Sequence, residues 1–359
     1  MKRVLVTNAG QPSGLNLTRA LHAAPEGIHV IGVDADPYHL QLAEADEVHL
    51  VPHPWQPDFV DILRRVIQKS GAEMAWPCTD GEIAAVVVAG DLGAKTFLPT
   101  PEVVALCHNK MEACMRMAEA GVPVPRSMRI HTPDDLQRAL GLYDRNVWLR
   151  AVTGTGGRGA LPVNEADLEK AKTWITLHRG WGGFMASERL PGRNITWESV
   201  WQDGELVFSQ GSQPLYWEHS NLTLSGVTGI VGALRWTADV EVDSIGEAAM
   251  EAIAARPHGI FTVDMTYDSR GRPRVTEINA GRFAQTGVTM FAAHGVNIAY
   301  CAVKIALERG LSIDIGAFSP YPTDTVVIRG IDVKPVVLPV SDIEARRYAA
   351  PYKTSALSA

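Results

Sequence analysis

The chain has 359 residues, of which 46% are hydrophobic and 20% are charged, a composition that excludes wholesale disorder. At about 150 residues per domain, this length predicts two or three domains with their own cores. The 33 Lys and Arg residues against 40 Asp and Glu give a net charge of −7, so no overall positive field exists to gather a nucleic acid.

The first 105 residues predict a parallel, doubly wound α/β sheet. An apolar strand at 4–6 runs into a glycine-bearing loop at 10–14, and leucines then recur at helical spacing over 15–21. Further strands are predicted at 29–33, 48–51, 73–76 and 96–98, with a helix at 59–69. Strands that alternate with helices in this way are typical of parallel sheets.

The pattern changes after residue 105. A Met-rich helix is predicted at 109–120, closed by Gly121 and followed by an extended Val-Pro-Val-Pro segment. Short strands separated by glycine loops follow from 147 to 231. Two helices at 242–255 and 296–309 flank a predicted hairpin, made of strands at 260–267 and 274–278. A strand at 325–338 and a disordered polar tail at 353–359 are expected at the end.

Two loops at the predicted carboxyl edge of the first sheet are candidates for a substrate crevice. The dinucleotide pattern G-x-G-x-x-G is absent from the loop at 10–14, which argues against a nicotinamide cofactor and leaves a substrate loop or a structural loop. The segment at 79–82 falls at the same edge. Gly10, Ser13, Asp80 and Glu82 are therefore candidate substrate residues.

A glycine-rich segment at 147–159 is a candidate phosphate loop. Arg150 ends a predicted strand, and four glycines, Gly156 and Gly157 among them, follow within six residues. Such a guanidinium can bind phosphate oxygens while a flexible flap closes over them. A mobile surface hairpin is the alternative, since the Walker spacing is missing.

The predicted hairpin near the end of the chain carries a set of oxygen ligands. Alternation places Glu277 and Asn279 on one face of their strand, where Asp264 of the paired strand can face them. Two carboxylates and an amide suit Mg²⁺ that bridges nucleotide phosphates better than they suit zinc. Solvent-facing polar residues on an edge hairpin are the alternative.

Taken in order, these segments resemble the ATP-grasp superfamily, in particular its carboxylate–amine ligases and the branch similar to the carbamoyl phosphate synthetase large subunit. The resemblance covers about residues 1–310. It implies a Rossmann-like pre-ATP-grasp domain at 1–105 and an ATP-grasp domain at 106–310, with a flap subdomain at about 126–188 and a metal-binding hairpin. Residues 311–359 would be a C-terminal extension.

The resemblance also implies roles for individual residues. Lys110 and Arg150 would bind nucleotide phosphate and act in catalysis, with Arg282 as the clamp for an acyl phosphate. In the usual E-x-N-x-R pattern one residue lies between the asparagine and the arginine, whereas here two residues, Ala280 and Gly281, lie between Asn279 and Arg282. The segment at 187–194 is similar to the adenine hinge. The implied nucleotide contacts are Gly156, Gly157, Ser187, Glu188, Leu190, Asn194 and Met265, and the implied metal ligands are Asp264, Glu277 and Asn279.

The implied activity is an ATP-dependent ligase that activates a small carboxylic acid as an acyl phosphate and couples it to an amine. ATP and two Mg²⁺ ions, which Mn²⁺ can replace, are the expected cofactors. A single-unit enzyme that forms carboxyphosphate or carbamoyl phosphate and a nucleotide-binding regulator without ligase activity are the alternatives. Aromatic and cationic residues beyond the hinge suggest further substrate contacts at Trp217, His219 and Arg235.

The expected partners and location follow from what the sequence lacks. Cys78, Cys107, Cys114 and Cys301 show no C-x-x-C spacing, which indicates reduced thiols in a cytoplasmic protein. The longest apolar run, at 83–89, is too short to span a bilayer. We expect small-molecule acid and amine substrates, no nucleic acid, no membrane partner, and a homodimer.

Overall fold

The computed structural model describes residues 1–154, 159–283, 288, 291–292, 296–308, 318–321, 323, 326–328 and 351–352. The strands are β1 (Lys2–Val6), β2 (Ile28–Asp34), β3 (Glu47–Leu50), β4 (Met74–Trp76), β5 (Ser127–Ile130), β6 (Asn146–Ala151), β7 (Leu161–Asn164), β8 (Phe184–Glu188), β9 (Asn194–Gln202), β10 (Glu205–Trp217), β11 (Val231–Thr237), β12 (Gly259–Tyr267), β13 (Pro273–Ala280), β14 (Val326–Ile328) and β15 (Pro351–Tyr352). The helices are α1 (Pro12–His22), α2 (Phe59–Ser70), α3 (Asp80–Ala89), α4 (Pro101–His108), α5 (Lys110–Glu119), α6 (Pro133–Leu142), α7 (Leu168–Leu177), α8 (Val240–Ile253) and α9 (Ile298–Glu308), and short 3-10 helices lie at His39–Leu42, Glu165–Asp167 and Ser220–Leu222.

The N-terminal sheet has the predicted parallel arrangement in four strands, ordered β3-β2-β1-β4. Alternation along β1 sends Val4 into the core on one face and Leu5 into the core on the other, so helices cover both faces. The predicted strand at 96–98 is absent, and Lys95 makes only an isolated bridge to Met74. Strand β15 adds an antiparallel edge beside β3.

A four-stranded antiparallel sheet, the flap sheet, has the order β5-β8-β6-β7, and its strands lie within the range 126–188 for which a flap subdomain is predicted. Its apolar face packs on α6 and α7 around a separate core that includes Leu149 and Ile175. The flap sheet and its two helices therefore have a core of their own.

The third sheet, the large sheet, is antiparallel and has six strands in the order β13-β12-β9-β10-β11-β14. One face carries Trp197 and Phe261, which share a core with α4, α5 and α8. The other face carries Trp236 and Ile260, which share a core with the N-terminal sheet and α9. The large sheet and the N-terminal domain are therefore held together by one continuous apolar core.

The predicted helix at 296–309 corresponds to α9, and the described part of the predicted strand at 325–338 is β14. The predicted tail at 353–359 and the flap glycines Gly156 and Gly157 lie outside the described residues. Within the described part of the chain, no helix combines the length and the apolar character needed to cross a lipid bilayer.

Candidate nucleotide and metal site

The hairpin of β12 and β13 places two carboxylates directly opposite each other. Asp264 is the register partner of Glu277, and Thr262 is the partner of Asn279. Since alternate residues of a strand share a face, Asp264, Glu277 and Asn279 project from the same side of the sheet. The structure therefore brings the three predicted metal ligands together.

Asp264 is held in place by two hydrogen bonds. The Thr196 hydroxyl donates to Oδ1 at 2.9 Å, and the Asn279 amide donates to Oδ2 at 3.2 Å. Burial, with the charge of Glu277 beside it, raises the pKa of Asp264 to about 6. Burial at this position therefore disfavours the charged form of the Asp264 carboxylate.

Two cations face the Glu277 carboxylate. Lys110, the first residue of α5, places Nζ 3.2 Å from Oε1, and its side chain is only 9% exposed. Arg150, on β6 of the flap sheet, places Nη1 3.8 Å from Oε2. Glu277 thus joins residues from three separate elements at one point.

Arg150 is buried and reaches across to the hairpin backbone. The register shift after Asp264 leaves Thr276 as an extra residue on β13, and its carbonyl accepts a hydrogen bond of 2.6 Å from Arg150 Nη2. Burial lowers the pKa of this guanidinium, and the charge of Glu277 opposes that shift. Among the described residues, no group accepts a hydrogen bond from the buried Nε.

Arg282 reaches the same site although two residues separate it from Asn279. Gly281 adopts φ +89°, a left-handed conformation that favours glycine and redirects the chain after β13. Arg282 Nη2 then donates to Asn279 Oδ1 at 2.8 Å. Its Nε donates to Asp80 Oδ1 at 2.6 Å. The additional residue relative to E-x-N-x-R therefore does not remove the arginine from the cluster.

The charged side chains of this site carry a slight excess of negative charge. Three cations meet three carboxylates, and the buried carboxylate of Glu198 on the same face adds a fourth: Lys110, Arg150, Arg282, Asp80, Asp264, Glu277 and Glu198. A triphosphate brings more negative charge than this cluster can neutralise, so divalent cations would have to accompany it.

The hairpin donors fit Mg²⁺ in chemistry and number. Among the described residues, no group of three His, Cys, Asp or Glu side chains could hold a metal ion alone. Mg²⁺ commonly takes one or two carboxylates and completes its shell with phosphates and water. The two carboxylates and one amide of Asp264, Glu277 and Asn279 suit that mode of binding, and not a closed protein cage.

The predicted hinge residues lie where β8 ends and β9 begins. Ser187 is buried and shares a hydrogen bond of 2.7 Å with Ser127. Glu188 pairs with Arg126 at 2.8 Å. Asn194 Oδ1 accepts from Thr266 at 2.7 Å, and Thr266 lies on the same face of β12 as Asp264.

Leu190 and Met265 are the two apolar residues among the predicted nucleotide contacts. Leu190 is half-buried just after β8. Met265 lies on the opposite face of β12 from Asp264 and is only 1% exposed, packed in the core under α5 and α8. The structure does not bring Met265 onto the face that carries the metal ligands.

Two loops of the N-terminal sheet meet at its carboxyl edge, as predicted for a crevice. Thr7 donates to the buried Glu82 at 2.6 Å and accepts from the Cys78 backbone at 2.9 Å. Burial raises the pKa of Glu82. The Gly10 amide donates to Asp34 at 3.0 Å. The Glu82 carboxylate and the Gly10 amide therefore both have hydrogen-bond partners within the protein.

A small cavity of about 20 Å³ lies between α1 and the segment that follows β13. Ser13 and Arg282 both line it, and the other lining residues are Leu17, Trp76, Cys78, Phe283 and Val288. The remaining predicted substrate residues lie farther along the large sheet. The described contacts of Trp217, His219 and Arg235 involve neighbouring strands and turns, such as Arg235 with Gln213 at 3.2 Å, and none reaches the hairpin cluster.

Three residues of the site escape prediction from sequence. Thr196 supports Asp264, the Thr276 carbonyl binds Arg150, and Glu198 is a buried carboxylate on the same face, opposite Thr262. The signal for Thr196 and Glu198 is the polar alternation around Trp197 in β9. The Thr276 bulge has no local signal, because it depends on the pairing of β12 with β13.

Solved structures share this architecture over most of their length. An L-amino acid ligase from Bacillus licheniformis is similar with a TM-score of 0.65 and 15% identity, over 86% of this chain and 74% of the ligase. A biotin carboxylase from Campylobacter jejuni is similar with a TM-score of 0.68 and 20% identity, over 87% of this chain and 72% of the carboxylase. A carboxyaminoimidazole ribonucleotide synthase from Aspergillus clavatus is similar with a TM-score of 0.61 and 16% identity, over 91% of this chain and 80% of the synthase. All three are ATP-grasp enzymes. The chain has the ATP-grasp fold.

The ATP-grasp fold confirms the expectation from the sequence at the level of architecture. Its flap sheet and large sheet approach each other at the Arg150 and Thr276 contact. Neither a protein-family model nor a curated protein matches the sequence. At 15% to 20% identity, the structural similarity to the three structures shows the fold alone, and the assignment of chemistry has to come from the residues of the site.

Proposed function

We propose that this protein is an ATP-dependent carboxylate–amine ligase. It would activate a small carboxylic acid as an acyl phosphate and couple it to an amine, with release of ADP and phosphate. The observation that carries the proposal is the junction at Glu277, where Lys110 of α5 and Arg150 of the flap sheet converge on the acidic hairpin.

The cofactors of the proposal are ATP and Mg²⁺. The biotin carboxylase domain from Hydrogenobacter thermophilus is a complex with MgADP, ADP and bicarbonate, and the synthase from Aspergillus clavatus is a complex with ATP. In this chain, Asp264, Glu277 and Asn279 would hold two Mg²⁺ ions, which neutralise phosphate charge when bound.

The cations act on the transferring phosphoryl group. Lys110 and Arg150 would bind phosphate oxygens, with the unpartnered Arg150 Nε as an additional donor. Arg282 would stabilise the acyl phosphate as negative charge spreads over its oxygens. The substrate carboxylate attacks the γ-phosphorus, the bond to the β–γ bridging oxygen breaks, and ADP leaves. The amine nitrogen then attacks the acyl carbon, phosphate departs, and the nitrogen loses a proton.

We propose that the adenosine site is formed by the hinge residues Ser187, Glu188, Leu190 and Asn194. We propose that Gly156 and Gly157 belong to the flap that covers the nucleotide. The substrate acid is proposed to enter beside Ser13 and Arg282, which line one cavity. The L-amino acid ligase among the similar structures makes amino acids the first acids and amines to examine.

A turnover screen tests the proposal. Release of ADP and phosphate from Mg·ATP is measured over a panel of carboxylic acids and amines, given singly and in pairs, with bicarbonate among the acids. Turnover that requires one acid and one amine together supports the ligase. Turnover with bicarbonate alone identifies the carboxyphosphate alternative, and Mg·ADP binding without turnover identifies the regulatory one.

We also propose a homodimer in the cytoplasm. The biotin carboxylase domain from Hydrogenobacter thermophilus is a dimer. The four buried, unpaired cysteines suit a reducing compartment. Light scattering coupled to gel filtration tests the dimer directly, and a monomeric mass at micromolar protein concentration would exclude it.

A further inference from the structure

The Arg282 guanidinium is bonded to a carboxylate from a distant part of the chain. Asp80, 202 residues earlier, accepts from Nε at 2.6 Å and from Nη2 at 3.3 Å. Both side chains are only 14% exposed. Because a two-point contact between planar groups fixes direction as well as distance, Asp80 sets the orientation of the guanidinium.

Asp80 is itself rigidly placed at the start of α3. The preceding Thr79 caps this helix, and its hydroxyl accepts from the Glu82 backbone while the Glu82 side chain accepts from the Thr79 backbone. Glu82 also accepts from Thr7 after β1. The carboxylate that holds Arg282 therefore projects from a backbone anchored to two strands of the N-terminal sheet.

The bonds continue from Arg282 into the hairpin. Its Nη2 donates to Asn279 Oδ1 at 2.8 Å, and Asn279 Nδ2 donates to Asp264 Oδ2 at 3.2 Å. A single chain of hydrogen bonds thus runs from the N-terminal domain to the acidic hairpin.

We infer that Asp80 is a positioning residue that orients Arg282 and Asn279, and that it does not bind the substrate acid. Both carboxylate oxygens of Asp80 accept hydrogen bonds from Arg282, so the guanidinium occupies the groups that would otherwise bind a substrate. Asp80 is therefore assigned to the support of Arg282 and no longer to contact with the substrate. Its catalytic consequence rests on the proposed ligase function, but the orientation of Arg282 does not.

The orientation is tested without any turnover, by nuclear magnetic resonance of protein labelled with ¹⁵N-arginine. The Arg282 Nε–H signal is assigned by its loss in Arg282→Lys. In Asp80→Asn we expect this signal to shift and its exchange with solvent to accelerate. Asp61→Asn is the matched control, since it removes the partner of Arg64 on the surface of α2. An unchanged Arg282 signal in Asp80→Asn would overturn the inference.

The catalytic consequence is tested by a double-mutant cycle with an acid and amine pair that supports turnover. Asp80→Asn should lower kcat about 10-fold to 100-fold, as expected when a support for a catalytic group is lost. In an Arg282→Ala background the same change should alter kcat by no more than about twofold, because its effect is already absent. In the wild-type background, KM for ATP should stay nearly constant, and Asp80→Glu should recover part of kcat.

The outcomes separate the two proposals. Equal losses of kcat in both backgrounds mean that Asp80 acts independently of Arg282, and the inference fails while the ligase stands. A wild-type protein without turnover on any pair removes the ligase, and the arginine signal still decides the orientation. If Asp80→Asn does not fold, Asp80→Glu provides the resonance test.

Discussion

Asp264 and Glu277 face each other as register partners on adjacent strands of the β12–β13 hairpin. Two carboxylates in this position repel each other, and the groups around them stabilise the two negative charges to different extents. Lys110 and Arg150 approach Glu277, whereas Asp264 accepts hydrogen bonds, among the described residues, from the hydroxyl of Thr196 and the amide of Asn279. Glu277 is thus the carboxylate with cationic partners, and Asp264 is the one that needs a metal or a proton.

This asymmetry predicts a pH dependence of stability. Burial, followed by the charge of Glu277, raises the pKa of Asp264 from 3.8 to about 6 in the folded protein. Between these values the native state binds more protons than the unfolded state, so the Asp264 contribution to stability decreases as pH rises through this window. Thermal unfolding of the metal-free protein at several pH values measures the effect.

Asp264→Asn should flatten the dependence of thermal stability on pH in this window. Mg²⁺ with ADP should restore stability to the wild-type protein above pH 6, the raised pKa of Asp264. Asp134→Asn, at an exposed position on α6, is the control that should leave the curve unchanged. A curve for Asp264→Asn that follows the wild-type curve would contradict the prediction.

Glu277→Gln should abolish most of the turnover while it preserves the fold. The variant removes the negative charge shared by Lys110 and Arg150 and one carboxylate from the proposed metal site. Loss of one pre-organised electrostatic group predicts a decrease in kcat of about 100-fold or more. Steady-state kinetics, with calorimetric binding of Mg·ADP, measures both consequences.

The matched control is Glu165→Gln, which removes an exposed ion pair with Arg145. We expect near wild-type kinetics from this variant because exposed pairs contribute little. Full turnover in Glu277→Gln with an intact melting transition would exclude the proposed role of the hairpin.

The four cysteines should be unreactive in the native protein. Burial raises the pKa of Cys107 to about 12 and that of Cys301 to about 11. The thiolate fraction is therefore very small near neutral pH, and the sulfur atoms are shielded as well. Titration with a chromogenic disulfide reagent should detect far fewer than four thiols before unfolding and four after it. Rapid native reaction of one thiol would reveal an accessible cysteine.

Two glycines in helices should respond oppositely to alanine. A Cβ at Gly246 in α8 would lie 2.6 Å from the ring of Trp197, which is fully buried. Overpacking of this kind predicts a loss of about 1 to 3 kcal/mol in the free energy of unfolding. Gly141 in α6 has nothing within 4 Å of its added Cβ, so Gly141→Ala should stabilise the protein by up to about 1 kcal/mol.

Denaturant unfolding of both variants provides the comparison. Equal changes in both would show that helix propensity, and not contact with Trp197, governs the effect. A stabilised Gly246→Ala would mean that the large sheet and α8 can separate enough to accept a methyl group.

Much of the fold could be predicted because its signals are periodic and local. The strand at 29–33, the helix at 109–120 and the hairpin around 268–271 each carry their own pattern and boundary residues, and the structure contains all three. The segment at 96–98 fails as a strand because an apolar run does not specify a partner. Only Lys95 reaches β4, at Met74.

The candidate site could be predicted in part for the same reason. Alternation placed Glu277 and Asn279 on one face, and their pairing with Asp264 follows from a short turn. The Thr276 bulge could not be predicted, because it arises from the register between two strands. The resemblance implies Met265 as a nucleotide contact, but strand alternation turns its side chain into the core.

By itself, the sequence determined the order of many of the elements and the alternation that puts Glu277 and Asn279 on one face of their strand, since hydrophobic period and turn chemistry act over a few residues. Only the tertiary structure decided which charges meet. Arg150 reaches Thr276 across 126 residues and Arg282 reaches Asp80 across 202. Such pairs depend on how the flap sheet and the N-terminal sheet pack on the large sheet, and no local pattern in the chain records that packing.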